Sequence, residues 1–282
     1  MKRACATLLA VAGLWLATCG ASLAAEFQVF DLWPGAAPGE SDDAEKPTCR
    51  YLKPDVQTSD ACVVVCPGGA YRNLDKKEGD WVAQFFASHG IPAVVLRYRV
   101  PRREGQPKHL APWQDAQRCV RFVRAHAEEW GINPEKIGIL GFSAGGHLTL
   151  MTATSSLTNS YEPVDEIDKL SASVNFAVPV YPAYVLEDGA DGPNSGKGND
   201  STMVGDFAFD EKTPPMCLIH GDDDVYSPMG SVAVYAKLRK MEIPAELHIY
   251  AKVNHGFGGN PTDNHVGDWL NRVYYWMKTM GF

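Results

Sequence analysis

Four short segments hold residue types that are reactive only in combination. Gly141-Phe142-Ser143-Ala144-Gly145-Gly146 sets a serine among glycines where an apolar run gives way to a helical pattern. A serine hydroxyl is a weak nucleophile until a neighbouring base takes its proton. A glycine-flanked turn from strand to helix lifts that hydroxyl clear of the sheet, because residues without a β-carbon let the two elements approach closely. The helix N-terminus that follows favours negative charge beside it. The base is expected in Asn254-His255-Gly256-Phe257-Gly258-Gly259: of eight histidines, only His255 lies in a glycine-flanked loop after a late apolar run. His220-Gly221-Asp222-Asp223-Asp224 offers the carboxylate that fixes such an imidazole's tautomer and stabilises its charged form. Asp224 is the candidate by position, four residues past His220 and just before a turn and a helix, while Asp222 and Asp223 read as a solvated turn. Pro67-Gly68-Gly69-Ala70-Tyr71 can turn backbone N–H groups toward a developing oxyanion, with Gly69, Ala70 and Ala144 as the expected donors. No G-K-[ST] follows this loop, which argues against phosphate binding. No EF-hand or C-x-x-C spacing is present, so neither a metal nor an organic cofactor is expected.

These residues need a scaffold that brings them to one edge. Apolar runs over 61–66, 92–98, 136–141, 173–181, 216–220 and 246–250 read as strands. Helical spacing predicts helices over 80–89, 112–130, 144–154, 228–241 and 266–280. Apolar strands without alternation, interleaved with helices, predict an α/β fold: a mostly parallel sheet covered on both faces, with little or no cap. Ligands in such sheets bind beyond the carboxyl ends of the strands, and all four segments follow a strand end. Residues 26–60 read as a loop-rich N-terminal segment and 61–282 as one catalytic domain. The 182–213 stretch contains a Gly-, Asp- and Asn-rich excursion over 188–199, read as a small cap or a loop. His147, one turn after Ser143, is expected to pack beneath the site, and His220 to fix the acid loop.

The order Ser143, Asp224, His255, with gaps of 81 and 31 residues, is that of the α/β-hydrolase fold. The chain resembles α/β-hydrolases of the acetyl esterase/lipase type, and within them secreted bacterial acetylxylan and feruloyl carbohydrate-ester esterases. The resemblance is carried by Cys66-Pro-Gly-Gly-Ala-Tyr71, Trp130-Gly-Ile-Asn-Pro-Glu-Lys-Ile-Gly138, Gly141-Phe-Ser-Ala-Gly-Gly-His147, His220-Gly-Asp-Asp-Asp224 and His255-Gly-Phe-Gly258. It covers roughly residue 61 to the C-terminus. It departs from the His-Gly-Gly-Gly form of the oxyanion loop, with Pro67 in place of His and Ala70 in place of the last Gly. The resemblance implies a serine esterase working through an acyl-enzyme on a small ester or an acylated polysaccharide. Tyr71, Phe142 and Tyr226 are the candidate substrate-binding aromatics, with Tyr181, Tyr184 and Phe257 nearby in the same loops; core packing is the competing use for at least half of these. An oligopeptidase-like hydrolase and a non-catalytic carbohydrate-binding relative are the alternatives on the same fold.

Composition agrees with a folded enzyme. The 282 residues are 45% hydrophobic and 21% charged, which excludes disordered, collagen-like and coiled-coil chains. A net charge of −8 argues against a nucleic-acid partner. Residues 1–25 combine Lys2-Arg3, an uncharged stretch from Ala4 to Ala25 and a small-residue end, the pattern of a secretory signal peptide. An uncleaved anchor is the alternative, and Cys19 offers a lipid-attachment alternative. Cleavage implies a secreted or periplasmic protein with no membrane contact. It leaves Cys49, Cys62, Cys66, Cys119 and Cys217, for which buried thiols and a Cys49–Cys62 bridge are both open.

Overall fold

The computed structural model describes residues 26–41, 46–193, 202–259 and 263–282. Residues 1–25, with Cys19, lie outside the described residues, as does part of the 188–199 excursion.

The all-apolar, β-branched run Cys62–Cys66 (β3) is buried at every position. So are Ile137–Phe142 (β5), Phe176–Val180 (β6) and Met216–Gly221 (β7). Strands buried on both faces belong inside a parallel sheet. With Gln28–Asp31 (β1), Thr48–Leu52 (β2), Ala93–Arg97 (β4) and Ala245–Tyr250 (β8), they form one eight-stranded sheet in the order β1-β2-β4-β3-β5-β6-β7-β8. The β1–β2 and β2–β4 pairs are antiparallel, and every pairing from β4 to β8 is parallel. The five helices are Asp80–Ser88 (α1), Leu110–Ala125 (α2), Ala144–Thr154 (α3), Met229–Lys240 (α4) and Trp269–Met280 (α5). Core residues of α2, α3 and α4 pack on one face of the sheet with Val64 and Ile139. Those of α1 and α5 pack on the other with Val63, Val65 and Leu140. This is the α/β-hydrolase fold.

The described parts of 182–213 hold only a short 3₁₀ turn at Glu187–Gly189 and a bridge between Leu186 and Met203.

Several boundaries differ from the sequence reading. Helix α2 ends at Ala125, five residues short of Trp130, and α5 starts at Trp269 rather than Val266. In both places apolar residues pack in turns outside the regular helix. The larger correction is the segment read as loop-rich. It contains β1 and β2, which extend the sheet by two antiparallel strands. Both are short, and β1 is mostly solvent-exposed, so neither carries the apolar run that marks a central strand. Its side chains nevertheless belong to the core: Tyr51 stacks on Trp130 at 4.0 Å, and Trp33 Nε1 donates to the buried Asp115 Oδ1 at 2.9 Å. Asp115 also accepts from Arg99 N and Nε, so the segment is anchored through a buried ion pair.

The five described cysteines are all buried and free. Cys49 does not face Cys62. It meets Cys119 Sγ on α2 at 3.0 Å, because β2 pairs with β4 and turns Cys49 toward the α2 face. Burial pushes the Cys62, Cys66 and Cys217 thiols up, away from the reactive thiolate. Among the described residues no helix is long and apolar enough to cross a membrane.

If the N-terminal strands are part of the core, Trp33→Ala lowers unfolding stability by about 3–5 kcal/mol in urea, the cost of emptying a buried tryptophan site. A loss under about 1 kcal/mol would instead mark the segment as an appendage.

Candidate active site

Ser143 caps β5 and precedes α3 with φ +52° and ψ −114°, a backbone conformation that L-residues avoid. The surrounding glycines explain how the chain holds it. A Cβ on Gly141 would lie 2.2 Å from Gly145 O, and one on Gly145 would lie 2.1 Å from Cys66 O. The strand, the helix and the end of β3 therefore touch backbone to backbone. Ser143 N donates to Val180 O and its carbonyl accepts from His147 N and Ala183 N, so the turn is fixed to β6 and to its following loop.

The other segments arrive from neighbouring strands. Asp224 follows β7 and His255 follows β8. His255 Nε2 lies 2.8 Å from Ser143 Oγ, and its Nδ1 lies 2.8 Å from both Asp224 oxygens. A carboxylate can only accept, so Nδ1–H donates to Asp224 and Nε2 is left to accept from the serine hydroxyl. The Asp224 side chain is fully buried, whereas the His255 ring is 24% exposed, open to a ligand on one side. Asp224 Oδ1 also accepts from Tyr226 N at 2.7 Å. Asp222 and Asp223 are exposed in the turn before it.

His220 holds this loop from beneath. Its Nε2–H donates to Tyr226 O at 3.1 Å and its Nδ1 accepts from Ser231 Oγ at 2.8 Å. Burial pulls its pKa down to about 4, against the nearby Asp224, which raises it.

The oxyanion loop leaves β3 beside the serine. Gly69 has φ +123°, and a Cβ there would lie 2.1 Å from Asn73 O; Ala70 and Tyr71 both follow with φ +56°. Ala144, as the first residue of α3, has an N–H with no intrahelical acceptor. The structure thus brings Ser143, His255 and Asp224 together at the carboxyl edge of the sheet, with the glycine-rich loop packed against them: a Cβ on Gly68 would lie 3.1 Å from that of Ser143.

Two of the candidate substrate aromatics are placed otherwise. Tyr71 and Phe142 are fully buried and offer no surface to a ligand. Tyr71 Oη is hydrogen-bonded to His147 Nδ1 at 2.9 Å, which places His147 beneath the oxyanion loop, and Phe142 packs edge-on against Trp269. Both lie next to residues that face the site: alternation along β5 turns Phe142 inward, and the positive-φ turn at Ala70 and Tyr71 turns the Tyr71 ring inward. Tyr226 remains half-buried with its ring 5.1 Å from His255 and 5.5 Å from Tyr184. Burial raises its phenol well above the ordinary value.

The residue that sequence reasoning missed is Glu78. Its buried carboxylate accepts from Gly68 N at 2.8 Å and from Tyr181 Oη at 2.6 Å, and Tyr181 Oη in turn accepts from Gly258 N at 3.0 Å. One carboxylate thereby joins the oxyanion loop to the histidine loop. Burial raises its pKa, and the two hydrogen bonds oppose that shift. No motif marks it, because Gly68, Glu78, Tyr181 and Gly258 meet only through the sheet. A cavity of about 670 Å³ beside this loop is lined by Pro67, Asn73 and cations such as Arg50 and Arg103, which are already held by Asp80 and Glu40.

The BD-FAE family matches residues 50–208, more than half of the sequence. The chain belongs to this family. The match includes the oxyanion loop and Ser143, while Asp224 and His255 lie beyond it. The acetylxylan esterase of Xylanibacter ruminicola is 28% identical over 255 residues, covering 85% of this chain and 49% of that protein. Endo-1,4-beta-xylanase B of Butyrivibrio fibrisolvens is 27% identical over 248 residues, covering 82% and 37%. The chain spans half or less of the length of these curated relatives. The crystal structure of an acetyl ester-xyloside bifunctional hydrolase from Caldicellulosiruptor lactoaceticus superposes with a TM-score of 0.77 at 28% identity, over 93% of this chain and 99% of that one.

The neutral, buried His220 links stability to pH. Unfolded, the ring protonates near its ordinary value of 6.5; folded, it does so only near 4. Between these values the unfolded chain binds the extra proton, so stability falls as pH drops through that window. His220 contributes about 3 kcal/mol to that fall. The stability of the wild type relative to His220→Gln, measured by urea unfolding, is expected to decline by that amount from pH 7 to pH 4; a pH-independent difference would mean that the ring is solvated. For Glu78, the Gln variant replaces one accepting oxygen with a donor that faces Tyr181 or Gly68. Labelling of Ser143 by a fluorophosphonate is expected to slow by about tenfold or more, since displaced catalytic groups cost at least that. An unchanged rate would show that the loop needs no such tether.

Proposed function

We propose that this chain hydrolyses carboxylic esters through an acyl-enzyme, outside the cytoplasm, with acetyl or feruloyl groups on plant or algal polysaccharide as its substrates. The observation that carries the reading is the continuous hydrogen-bonded line from Ser143 Oγ through the His255 ring to the buried Asp224. His255 Nε2 takes the Ser143 proton as Oγ attacks the ester carbonyl carbon, while Asp224 stabilises the imidazolium that forms. The Gly69, Ala70 and Ala144 amides stabilise the oxyanion. His255 returns the proton to the departing alcohol. Water, deprotonated by the same imidazole, then releases the acid and restores the serine.

Support for the substrate class comes from the site and from the relatives. The stretch between β6 and β7 carries no long apolar helix among its described residues, so nothing there forms the lid that a long acyl chain requires. Tyr226, half-buried with its ring beside His255 and backed by the buried Tyr184, offers an aromatic face suited to a sugar or a cinnamoyl ring. The relatives named above are an acetylxylan esterase, a xylanase and an acetyl ester-xyloside hydrolase. The leader-like residues 1–25 support export, which suits a polymer that cannot enter the cell.

Acetate release from acetylated xylan, and ferulate release from feruloylated arabinoxylan, by the wild type and by Ser143→Ala tests the reading. The wild type is expected to release acid and the variant to lose turnover by about 10⁴ or more. Near-wild-type activity in Ser143→Ala would remove the nucleophile. Activity on small esters with none on either polymer would remove the polysaccharide.

A further inference from the structure

Behind the nucleophile lies a cluster that ester hydrolysis does not use. His109 caps the start of α2, His147 lies in the first turns of α3, and Asp206 belongs to the segment that rejoins the described chain at residue 202. One nitrogen from each ring and one Asp206 oxygen all lie within 4.8 Å of one another. Asp206 Oδ2 is 3.6 Å from His109 Nδ1 and 3.8 Å from His147 Nε2, beyond hydrogen-bond reach of both. His109 Nδ1 and His147 Nε2 are buried and have no hydrogen-bond partner. His147 is fully buried, so its unmatched nitrogen is aimed into this space at a real desolvation cost.

We propose that His109 Nδ1, His147 Nε2 and Asp206 Oδ2 bind a divalent transition metal, zinc by preference, with a fourth position left to water. Four ligands at about 2.0–2.1 Å around a tetrahedral zinc lie about 3.4 Å apart. The two Asp206 separations are already close to that edge, and small side-chain rotations close the rest. Two imidazoles and one carboxylate favour zinc over calcium or magnesium, which take oxygen ligands. The His147 ring is already braced as a ligand would be: its second nitrogen is hydrogen-bonded to Tyr71 Oη, and Nδ1–H donates there when Nε2 holds the metal. Phe207 is buried with its ring 5.3 Å from His147, which seats the neighbouring Asp206 against α3. Lys108 opposes a cation here, although its ammonium also lies 3.8 Å from Asp191 and 5.0 Å from the Tyr184 ring. The metal would tie three parts of the chain together: the start of α2, the helix that follows Ser143 and the 202–209 segment. Because Tyr71 ends the oxyanion loop, that tie would also stiffen the floor of the active site.

The test uses the full chain stripped with a chelator, then dialysed against zinc chloride, with metal counted by mass spectrometry and melting followed by circular dichroism. One zinc per chain and a higher melting temperature are expected. Cobalt in place of zinc is expected to give the visible absorption of a tetrahedral site. Asp206→Asn and His109→Gln, both at partly exposed positions, are each expected to weaken binding by about 100-fold while the far-ultraviolet spectrum stays native. Three results would overturn the proposal: no stoichiometric zinc, binding that survives both variants, or binding lost in His248→Ala. The last would place the ion at the separate Cys217, Glu246 and His248 group.

Discussion

The fold depends on one close approach. At Gly145 the first turn of α3 meets the Cys66 and Pro67 carbonyls at the end of β3, with no room for a side chain. That contact fixes the height of α3 over the sheet and holds Ser143 in its left-handed backbone conformation. It also sets the oxyanion loop, which leaves β3 from the same two residues, at a fixed distance from the nucleophile. The glycines around Ser143 therefore do more than permit a turn. They make nucleophile, helix N-terminus and oxyanion loop a single rigid unit.

Around that unit the site is held by buried polar groups, of which Asp224 and Glu78 draw partners from other strand ends. Asp224 is fully buried yet accepts from the Tyr226 amide and from His255, and His220 supports the same turn from below. Glu78 spans the oxyanion and histidine loops through Gly68 and Tyr181. Buried carboxylates cost desolvation energy, which these hydrogen bonds offset. The cost brings order to loops that have few apolar contacts of their own. The His255 ring, 24% exposed, is the exception among them.

Much of this was legible from residue order. The six central strands and five helices followed from apolar runs and helical spacing, because each element buries its own face. Ser143, Asp224 and His255 were legible because a strained turn demands glycine and because the acid and base each follow a strand end. β1 and β2 were not legible. β1 is the edge strand and β2 lies beside it, and the segment is held by Tyr51, Trp33 and Phe30 packing on distant aromatics, so little of its stability is local. Tyr71 and Phe142 were misjudged for the opposite reason. A loop position looks accessible in sequence, but backbone direction turns these two rings into the core.

The sequence by itself determined the chain order of the central strands and helices, the glycine-flanked turn at Ser143, and the pairing of Ser143, Asp224 and His255 that the structure brings together. These depend on residue type and on neighbours a few positions away. Only the tertiary structure decided that Glu78 reaches both Gly68 and Tyr181, that Cys49 faces Cys119 rather than Cys62, and that His109, His147 and Asp206 converge. The partners in those groups are separated by 10 to about 100 residues. They meet because parallel strands deliver every loop to the same edge, a placement set by sheet register and helix packing together.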